Sequence, residues 1–357
     1  MNEGLIYERS QFPGAPRSPL VTKMDFLIPS AQQTIPIYHV MNAEDALQDL
    51  TRSDPDVTNK QVSAGEEGIM IGSAAALGSG DMITCQYSET GMFLQRGFTL
   101  KDFMSQLTAN RNDSGKGRNM PVHYSGKLRV GTHAVASTLG TQIPYATGAG
   151  YALKVKAMEN PNEPLSMAAC YFGDSAASEG DFHAALNIAA VRKCPVLFLC
   201  RNNGFAISTP TSEQYIGDSI AACGVGYGIK TLRVNSTDIF AVYEATQEAR
   251  RRALMDGGRP ILLELMSYWV SHHSISDDSF AYRSRADVQS WTNRYNPIDR
   301  LKKWLERKRL WNDEMDQEAR RSIRKAILTE LNAAEKEKKP PLESIFVDVY
   351  AELSEEM

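Results

Sequence analysis

Apolar and polar positions follow two different periods along this chain, and together they predict strands that alternate with helices. Between apolar runs of strand length lie segments whose apolar residues recur every three to four positions, the spacing of a helix. The predicted strands are 167–172, 195–200, 231–234 and 260–268, and the clearest predicted helices are 180–193 and 236–255. This alternation predicts an α/β fold with a doubly wound, mostly parallel sheet and helices on both of its faces.

The two ends of the chain depart from this pattern. Residues 1–60 are rich in Pro, Ser, Asp and Gln and predict an extended N-terminal arm. At the other end, 296–310 and 314–335 predict two amphipathic helices with charged, solvated faces, followed by an apolar tail at 345–350 that we expect to dock on the fold or on a partner chain. The predicted parts are the arm at 1–60, an α/β domain at 61–290, and a C-terminal helical segment with its tail at 291–357.

Composition excludes several classes of function. Of the 357 residues, 42% are hydrophobic and 23% are charged, as in an ordinary globular protein. The net charge of −4 gives no basic surface for nucleic acid or for an anionic membrane. No apolar run approaches the roughly 20 residues that a membrane span needs. The five cysteines have no paired spacing, and Cys170 and Cys200 fall in predicted buried strands, so we expect reduced thiols.

The most informative stretch runs from Gly173 to Asn203, where a strand, a turn, a helix and a second strand follow one another. Asp174 follows the first strand, and Asn202 and Asn203 follow the second. Because the carboxyl ends of parallel strands meet at one edge, where ligands of open α/β sheets bind, we expect these side chains to lie together. A carboxylate and an amide suit a Mg²⁺ that keeps other positions for phosphate oxygens. On the pattern alone, an ordinary βαβ unit with an acidic turn remains the simpler interpretation.

The spelling of the stretch, GDSAASEGD at its beginning and RNN at its end, resembles the thiamine diphosphate signature. Its continuation, NGFAISTPTSEQ, is similar to the alpha subunit of the branched-chain 2-oxoacid dehydrogenases, their decarboxylating component. Further words of that family are GEEG at 65–68, QYSETG at 86–91, GKGRNMPVHY at 115–124, ASTLGTQ at 136–142 and SHHSISDDSFAYRS at 271–284. The resemblance covers almost the whole chain apart from 41–63, where the family carries a long helix and this sequence predicts none.

The resemblance implies a thiamine diphosphate-binding fold in which two alpha and two beta chains form a heterotetramer. It implies that Mg²⁺ is held by the Asp174 carboxylate, the Asn203 amide and the Phe205 main-chain carbonyl. Thr141 and Gln142 would hold a structural K⁺. The other cofactor-binding residues that it implies are Tyr87, Ser137, Leu139, Gly173, Ser175, Ala176, Arg201 and His273.

The resemblance also implies the reaction, an oxidative decarboxylation of branched-chain 2-oxoacids whose acyl product passes to the lipoyl group of an acyltransferase core. His273 would handle protons near the thiazolium and His123 would face the reaction centre, a role that suits imidazole because its pKa lies near the operating pH. The substrate pocket would be bordered by Gln86, Tyr87 and Leu139.

Regulation and location are implied in the same way. Ser274 and Ser284 match the positions where a dedicated kinase inactivates the family's enzyme and a phosphatase restores it. The family works in the mitochondrial matrix. The first residues, MNEGLIYERSQFPG, lack the Arg-rich, acid-poor pattern of a presequence, so either the protein is not imported or the chain is close to a mature form.

Four departures from the family pattern fall on the diphosphate site and leave a second hypothesis open. Ser88 and Trp269 stand where the family has arginines near the phosphates, Ser175 stands where it has glycine, and the helix before the GEEG word is expected to be missing. The alternative is therefore a member that has lost catalysis and serves as an assembly or scaffold subunit. A nicotinamide dehydrogenase is more distant, because no glycine fingerprint follows a first strand.

Overall fold

The computed structural model describes residues 31–53, 64–126, 130–274 and 277–347. In this part of the chain, five strands form one sheet in the order β1-β2-β3-β7-β6, and every neighbouring pair is parallel. Their bounds are β1 Met82–Thr84, β2 Ala168–Gly173, β3 Val196–Asn202, β6 Lys230–Asn235 and β7 Ile261–Met266. The short strands β4 (Phe205–Ala206) and β5 (Thr209–Pro210) form a separate antiparallel pair. The predicted α/β fold with a parallel sheet is confirmed.

Helices cover both faces of this sheet. The strands β2, β3 and β7 are almost fully buried, which is why they read as mostly apolar runs in the sequence. Successive side chains enter different cores: Tyr171 packs with α2 (Glu67–Ala76) and α9 (Ile239–Ala253), whereas Phe172 packs with α5 (Gln142–Glu159) and α6 (Gly180–Arg192). The cysteines are free, as expected, and Cys170 and Cys200 are fully buried in strands.

The remaining helices surround this centre. They are α1 Ala31–Ser53, α3 Thr90–Gln95, α4 Leu100–Leu107, α7 Thr211–Gln214, α8 Ser219–Gly226, α10 Arg285–Tyr295, α11 Pro297–Arg307 and α12 Asp313–Glu335. The last two are the predicted amphipathic pair, and the Asn296 side chain caps α11 by accepting from the backbone N–H groups of Ile298 and Asp299. Half of the apolar tail, 348–350, lies outside the described residues, and its docking stays a prediction.

The N-terminal prediction is wrong where the structure describes it. Residues 31–53 form the helix α1, so they are not an extended arm, and a helix does precede the GEEG word. Residues 1–30 and 54–60 lie outside the described residues. The division into three parts stays a prediction.

The pattern failed because the buried face of α1 is partly polar. Tyr38 and Met41 are fully buried, but so are Asn42 and Glu44. The Tyr38 hydroxyl donates to Asp316 of α12 at 2.6 Å, across 278 residues of sequence. A distant partner allows a polar side chain to be buried. Because such polar residues stand where a helix pattern would need apolar ones, the apolar repeat that predicts a helix is interrupted.

A buried pair of carboxyl groups lies where α1 packs on α2, and it predicts how stability changes with pH. Burial raises the pKa of both Glu44 and Glu67, and the two groups repel each other when ionised. The folded state therefore holds these protons more tightly than the unfolded chain. The stability that this contributes is fully present below the unfolded pKa values near 4 and is lost as pH rises through the folded values.

We expect the substitution Glu67→Gln to flatten this decline. Glutamine keeps a side-chain oxygen that can accept from the Gly65 N–H, now 3.1 Å from the carboxylate, but it has no proton to lose. The melting temperature of the variant should fall less than that of the wild type between about pH 5 and pH 8. Glu314→Gln, on the exposed first turn of α12, serves as the control. Parallel curves for wild type and Glu67→Gln would contradict the prediction.

Candidate active site

The carboxyl ends of β2 and β3 bring together the residues predicted to bind magnesium. Asp174 follows β2, and its backbone N–H donates to the Arg201 carbonyl of β3 at 3.0 Å, so the two strand ends stay adjacent. Asn203 follows β3, and its side-chain oxygen accepts from the Phe205 N–H at 3.2 Å. The structure thus places Asp174 and Asn203 at the same edge of the sheet, as the strand pattern predicted, and Phe205 follows Asn203 there.

Asp174 is almost completely buried, with 1% of its surface exposed. Its Oδ2 accepts from the side-chain amide of Gln214 at 3.3 Å. Burial raises the pKa of Asp174 to about 7, although this hydrogen bond and the charge of Arg201 both act to lower it. A cation bound beside this carboxyl group would favour its ionised form.

Glu66 is the centre of the hydrogen bonds at this edge, and sequence reasoning missed it. This fully buried residue precedes α2. Its Oε1 accepts from the Ser267 hydroxyl at 2.7 Å and from the Asn203 amide at 3.4 Å, and its Oε2 accepts from Arg201 at 2.6 Å. The sequence did contain a signal for Glu66, the pair of consecutive acidic residues at the beginning of an apolar helix. Such residues need a partner if they are buried.

Arg201, expected to meet the diphosphate, is held between two carboxylates. Its Nη1 donates to Glu66 at 2.6 Å and its Nη2 donates to Glu89 at 2.9 Å, and all three side chains are buried. Its Nε is buried and has no hydrogen-bond partner among the described residues. Sequence analysis gave Glu89 no role, although it lies within the QYSETG word.

His123 lies beside Tyr87 and Ser137, two residues that the resemblance implies bind the cofactor. It is 5% exposed, and its ring centre lies 5.5 Å from that of Tyr87. Its Nδ1 lies 2.9 Å from the Pro121 carbonyl and its Nε2 lies 2.7 Å from the Ser137 hydroxyl. Because a carbonyl can only accept, Nδ1 carries the proton, and in the neutral ring Nε2 accepts from Ser137. Leu139, also predicted here, is 37% exposed.

His273 reaches the same region from the loop that follows β7. Its backbone N–H donates to Asp277 at 2.7 Å, and its ring lies edge-on to Trp269 at 5.2 Å. Burial lowers the pKa of His273; the charge of Asp277 acts to raise it, and the charge of Arg201 acts to lower it. The lowered pKa favours the neutral imidazole. The effect of the Arg201 charge on His273 indicates that the loop after β7 approaches the edge of the sheet where β3 ends.

Residues of the signature turn and of the predicted K⁺ site have ordinary local structure. Ser175 has φ −57° and ψ −45°, which any residue adopts, so the backbone between Gly173 and Ala176 does not require the family's glycine. The Thr141 hydroxyl donates to the Thr138 carbonyl at 3.1 Å. The Gln142 amide donates to Tyr171 at 3.3 Å, and its buried Oε1 has no hydrogen-bond partner among the described residues.

The two predicted phosphorylation sites have different surroundings. Ser274 is half-buried and directly follows His273. Ser284 is exposed and begins α10, whose Asp287 N–H donates to its hydroxyl at 3.0 Å. Ser284 also lines a neighbouring cavity of about 580 Å³ that shares Asn203 and Phe205 with the candidate site.

Comparison with known proteins identifies the class. Residues 37–343 match the family described as "Dehydrogenase E1 component". The chain therefore belongs to this family, the decarboxylating components of 2-oxoacid dehydrogenases, and the family implies thiamine diphosphate as the cofactor. None of the helices in the described parts of the chain has the length and apolar character to cross a membrane.

Individual relatives show which members of this family the chain is similar to. The chain is 51% identical over 291 residues to the mitochondrial 2-oxoisovalerate dehydrogenase subunit alpha of Caenorhabditis elegans, covering 82% of this chain and 66% of the relative. It is 43% identical over 377 residues to that subunit of Mus musculus, covering 97% and 83%. The Arabidopsis thaliana subunit alpha 2 is 43% identical over 334 residues, covering 93% and 69%. The family resemblance inferred from the motifs is confirmed.

Proposed function

We propose that this chain is the alpha subunit of a branched-chain 2-oxoacid dehydrogenase. With a beta subunit it would carry out the oxidative decarboxylation of 2-oxoisovalerate and related branched-chain oxoacids, and the acyl group would pass to the lipoyl group of an acyltransferase core. The observations that support the proposal are that Asp174 and Asn203 lie at one edge of the sheet and that His273 lies within reach of the charge of Arg201 there, in a chain whose relatives are such alpha subunits.

The charges at this edge support a divalent cation. Three buried carboxyl groups lie near the buried guanidinium of Arg201. Those of Glu66 and Glu89 pair with it, and that of Asp174 is influenced by its charge. Burying carboxylates that lack a partner is costly, so a cation beside Asp174 would offset this cost by neutralising the excess negative charge. We propose that the Asp174 carboxylate, the Asn203 amide oxygen and the Phe205 carbonyl hold Mg²⁺, which would bind the diphosphate oxygens.

Unpartnered donors support an anionic group beside that cation. Gln86 Nε2, Arg201 Nε and Trp269 Nε1 are buried, and none has a hydrogen-bond acceptor among the described residues. Each such N–H costs about 1–3 kcal/mol when it stays unsatisfied. The oxygens of a diphosphate would supply acceptors for donors of this kind. The residues present therefore fit the cofactor, even though Ser88 and Trp269 replace arginines of the family.

The histidines give the site its acid–base chemistry. The bound cofactor supplies the carbon nucleophile and the electron sink that decarboxylation needs. The lowered pKa of His273 favours its neutral form, which could accept a proton near the reacting atoms, and the hydrogen bond from His123 Nδ1 to Pro121 leaves its Nε2 directed at Ser137. Gln86, Tyr87 and Leu139 would border the substrate.

Partners, ions and location complete the proposal. Exposed apolar side chains on α5 and α6, among them Tyr145, Tyr151, Ile188 and Val191, form a surface of the kind that a partner subunit covers, and two alpha and two beta chains would form the heterotetramer. Gln142 Oε1, with Thr141, would bind K⁺. The relatives are named mitochondrial, and we propose the matrix for this chain.

Phosphorylation by a kinase and its reversal by a phosphatase would act at Ser274 and Ser284. A phosphate on Ser274 adds about two negative charges next to His273. Repulsion between these charges and the cofactor's own phosphates would keep the loop from ordering.

The decisive experiment is an assay of the chain co-expressed with a beta subunit and loaded with thiamine diphosphate and Mg²⁺. We expect decarboxylation of 2-oxoisovalerate with a kcat/KM about tenfold or more above that for pyruvate, the discrimination that a pocket shaped for a branched side chain provides. A higher kcat/KM for pyruvate would contradict the substrate assignment. An assembled complex that binds no cofactor and decarboxylates neither acid would favour the scaffold alternative.

A further inference from the structure

The segment that carries His123 contains a strained turn. The His123 N–H donates to the Met120 carbonyl at 3.1 Å, and Pro121 and Val122 are the two central residues. Val122 has φ +62°, which is the left-handed region. A turn with proline second and a positive φ third favours glycine or asparagine at that third place. A β-branched residue in this region is a rare outlier, and it persists only where the surroundings hold it.

Gln106 of α4 holds this turn with both ends of its amide. Its Nε2 donates to the Met120 carbonyl at 2.7 Å, and its Oε1 accepts from the Val122 N–H at 3.1 Å. The side chain is 4% exposed. The helix that carries it is itself anchored, because Thr99 and Asp102 form a capping box at its beginning. The strained peptide is therefore held from a rigid element.

The bond to Val122 also determines what His123 can do. The Val122 N–H and the Pro121 carbonyl belong to one planar peptide group and point in opposite directions. Gln106 binds the N–H edge, and His123 Nδ1 donates to the carbonyl edge at 2.9 Å. A flip of this peptide would break both bonds. It would also remove the Pro121 carbonyl as the acceptor for Nδ1. Without that acceptor, nothing would keep the proton on Nδ1 and leave Nε2 free to accept from Ser137.

We propose that Gln106 is a positioning residue for the reaction, because it locks the peptide between Pro121 and Val122 and so sets the ring orientation and the tautomer of His123. The inference rests on the proposed function for the role of His123. It extends that function to a residue on another element, 17 positions earlier in the sequence.

The test uses the alpha and beta chains co-expressed and loaded with cofactor, with two substitutions and their combination. Gln106→Leu removes both hydrogen bonds at similar size. Val122→Gly allows the positive φ without steric cost, so the turn should hold without the clamp. Gln289→Leu is the matched control, since Gln289 lies exposed on α10 and bonds Asn293 at 2.9 Å.

We expect Gln106→Leu to lower kcat for 2-oxoisovalerate by about 10- to 100-fold, the cost of misplacing a reacting group. The dissociation constant for thiamine diphosphate, measured by calorimetry, should stay within about threefold, because the loss concerns the reaction step. Amide hydrogen exchange should become faster in the peptide 119–125. In the Val122→Gly background the same substitution should cost much less in kcat.

Several results would overturn the inference. They are an unchanged kcat in Gln106→Leu, an equal loss of kcat in both backgrounds, or a parallel loss of cofactor affinity that indicates general disruption. A wild-type complex that binds the cofactor but decarboxylates no oxoacid would instead overturn the proposed function and any positioning role in it. In that case hydrogen exchange would still decide whether Gln106 clamps the turn.

Discussion

Replacing Asp174 with alanine is expected to abolish magnesium-dependent binding of thiamine diphosphate by the assembled enzyme. This side chain is the carboxylate of the proposed metal ligands, and the Asn203 amide and the Phe205 carbonyl carry no full charge to replace it. Without the metal, the diphosphate would lie near the carboxylates of Glu66 and Glu89 with no divalent charge between them. We expect the affinity for the cofactor to fall by about 100-fold or more, a loss typical when one partner of a buried charge pair is removed.

Calorimetric titration of the co-expressed alpha and beta chains with thiamine diphosphate and Mg²⁺ measures this effect. Asp181→Ala is the matched control, because Asp181 lies exposed in the first turn of α6, seven residues along the chain. It should leave the affinity unchanged. If Asp174→Ala still bound the cofactor in a Mg²⁺-dependent way, the proposed metal site would be wrong. If the wild-type complex bound none, the scaffold alternative would gain its strongest support.

Replacing Arg201 with methionine is expected to destabilise the fold severely. The substitution leaves Glu66 and Glu89 buried without the guanidinium that now lies between them at 2.6 and 2.9 Å. Breaking a buried ion pair by removing one partner typically costs about 3–5 kcal/mol. Arg201 is 4% exposed, so solvent does not screen this cost appreciably. Chemical denaturation of the variant complex should show a lower midpoint, and the yield of folded protein should fall.

An exposed ion pair provides the control for this prediction. Arg321 pairs with Glu318 at 2.9 Å, and both side chains are 70% exposed. Arg321→Met should leave the denaturation midpoint unchanged, as expected for surface ion pairs. If Arg201→Met kept its stability and lost only cofactor affinity, Arg201 would serve mainly the diphosphate, as the family resemblance implies. A loss of stability before any cofactor is added would show that the arginine first serves the fold.

The sheet was predictable because its strands are buried on both faces. The runs at 167–172 and 195–200 are continuously apolar, and that at 260–268 is interrupted only by Glu264 and Ser267; they became β2, β3 and β7 within one or two residues at each end. Once the strands were placed, parallel pairing required Asp174 and Asn203 to share an edge. The core of the candidate site therefore followed from local pattern and from one rule of sheet geometry.

The helix α1 was not predictable in this way, since Asn42 and Glu44 of its buried face look like surface residues in the sequence. The contacts of Arg201 were missed for a related reason. Glu66 and Glu89 lie 135 and 112 residues earlier in the chain, and nothing local indicates that they meet the same guanidinium. The bond between Ser137 and His123 joins two words of the family resemblance, but the words alone do not predict the contact.

The sequence by itself determined the alternation of strands and helices after residue 166, the family, and the residues placed at the carboxyl ends of β2 and β3. These depend on the spacing of apolar residues and on motifs, and both are properties of neighbouring positions. Only the tertiary structure decided which carboxylates hold Arg201, that α1 exists, and that Gln106 fixes the peptide before His123. Those outcomes depend on buried polar groups, which must find partners wherever the fold brings them, however distant in sequence.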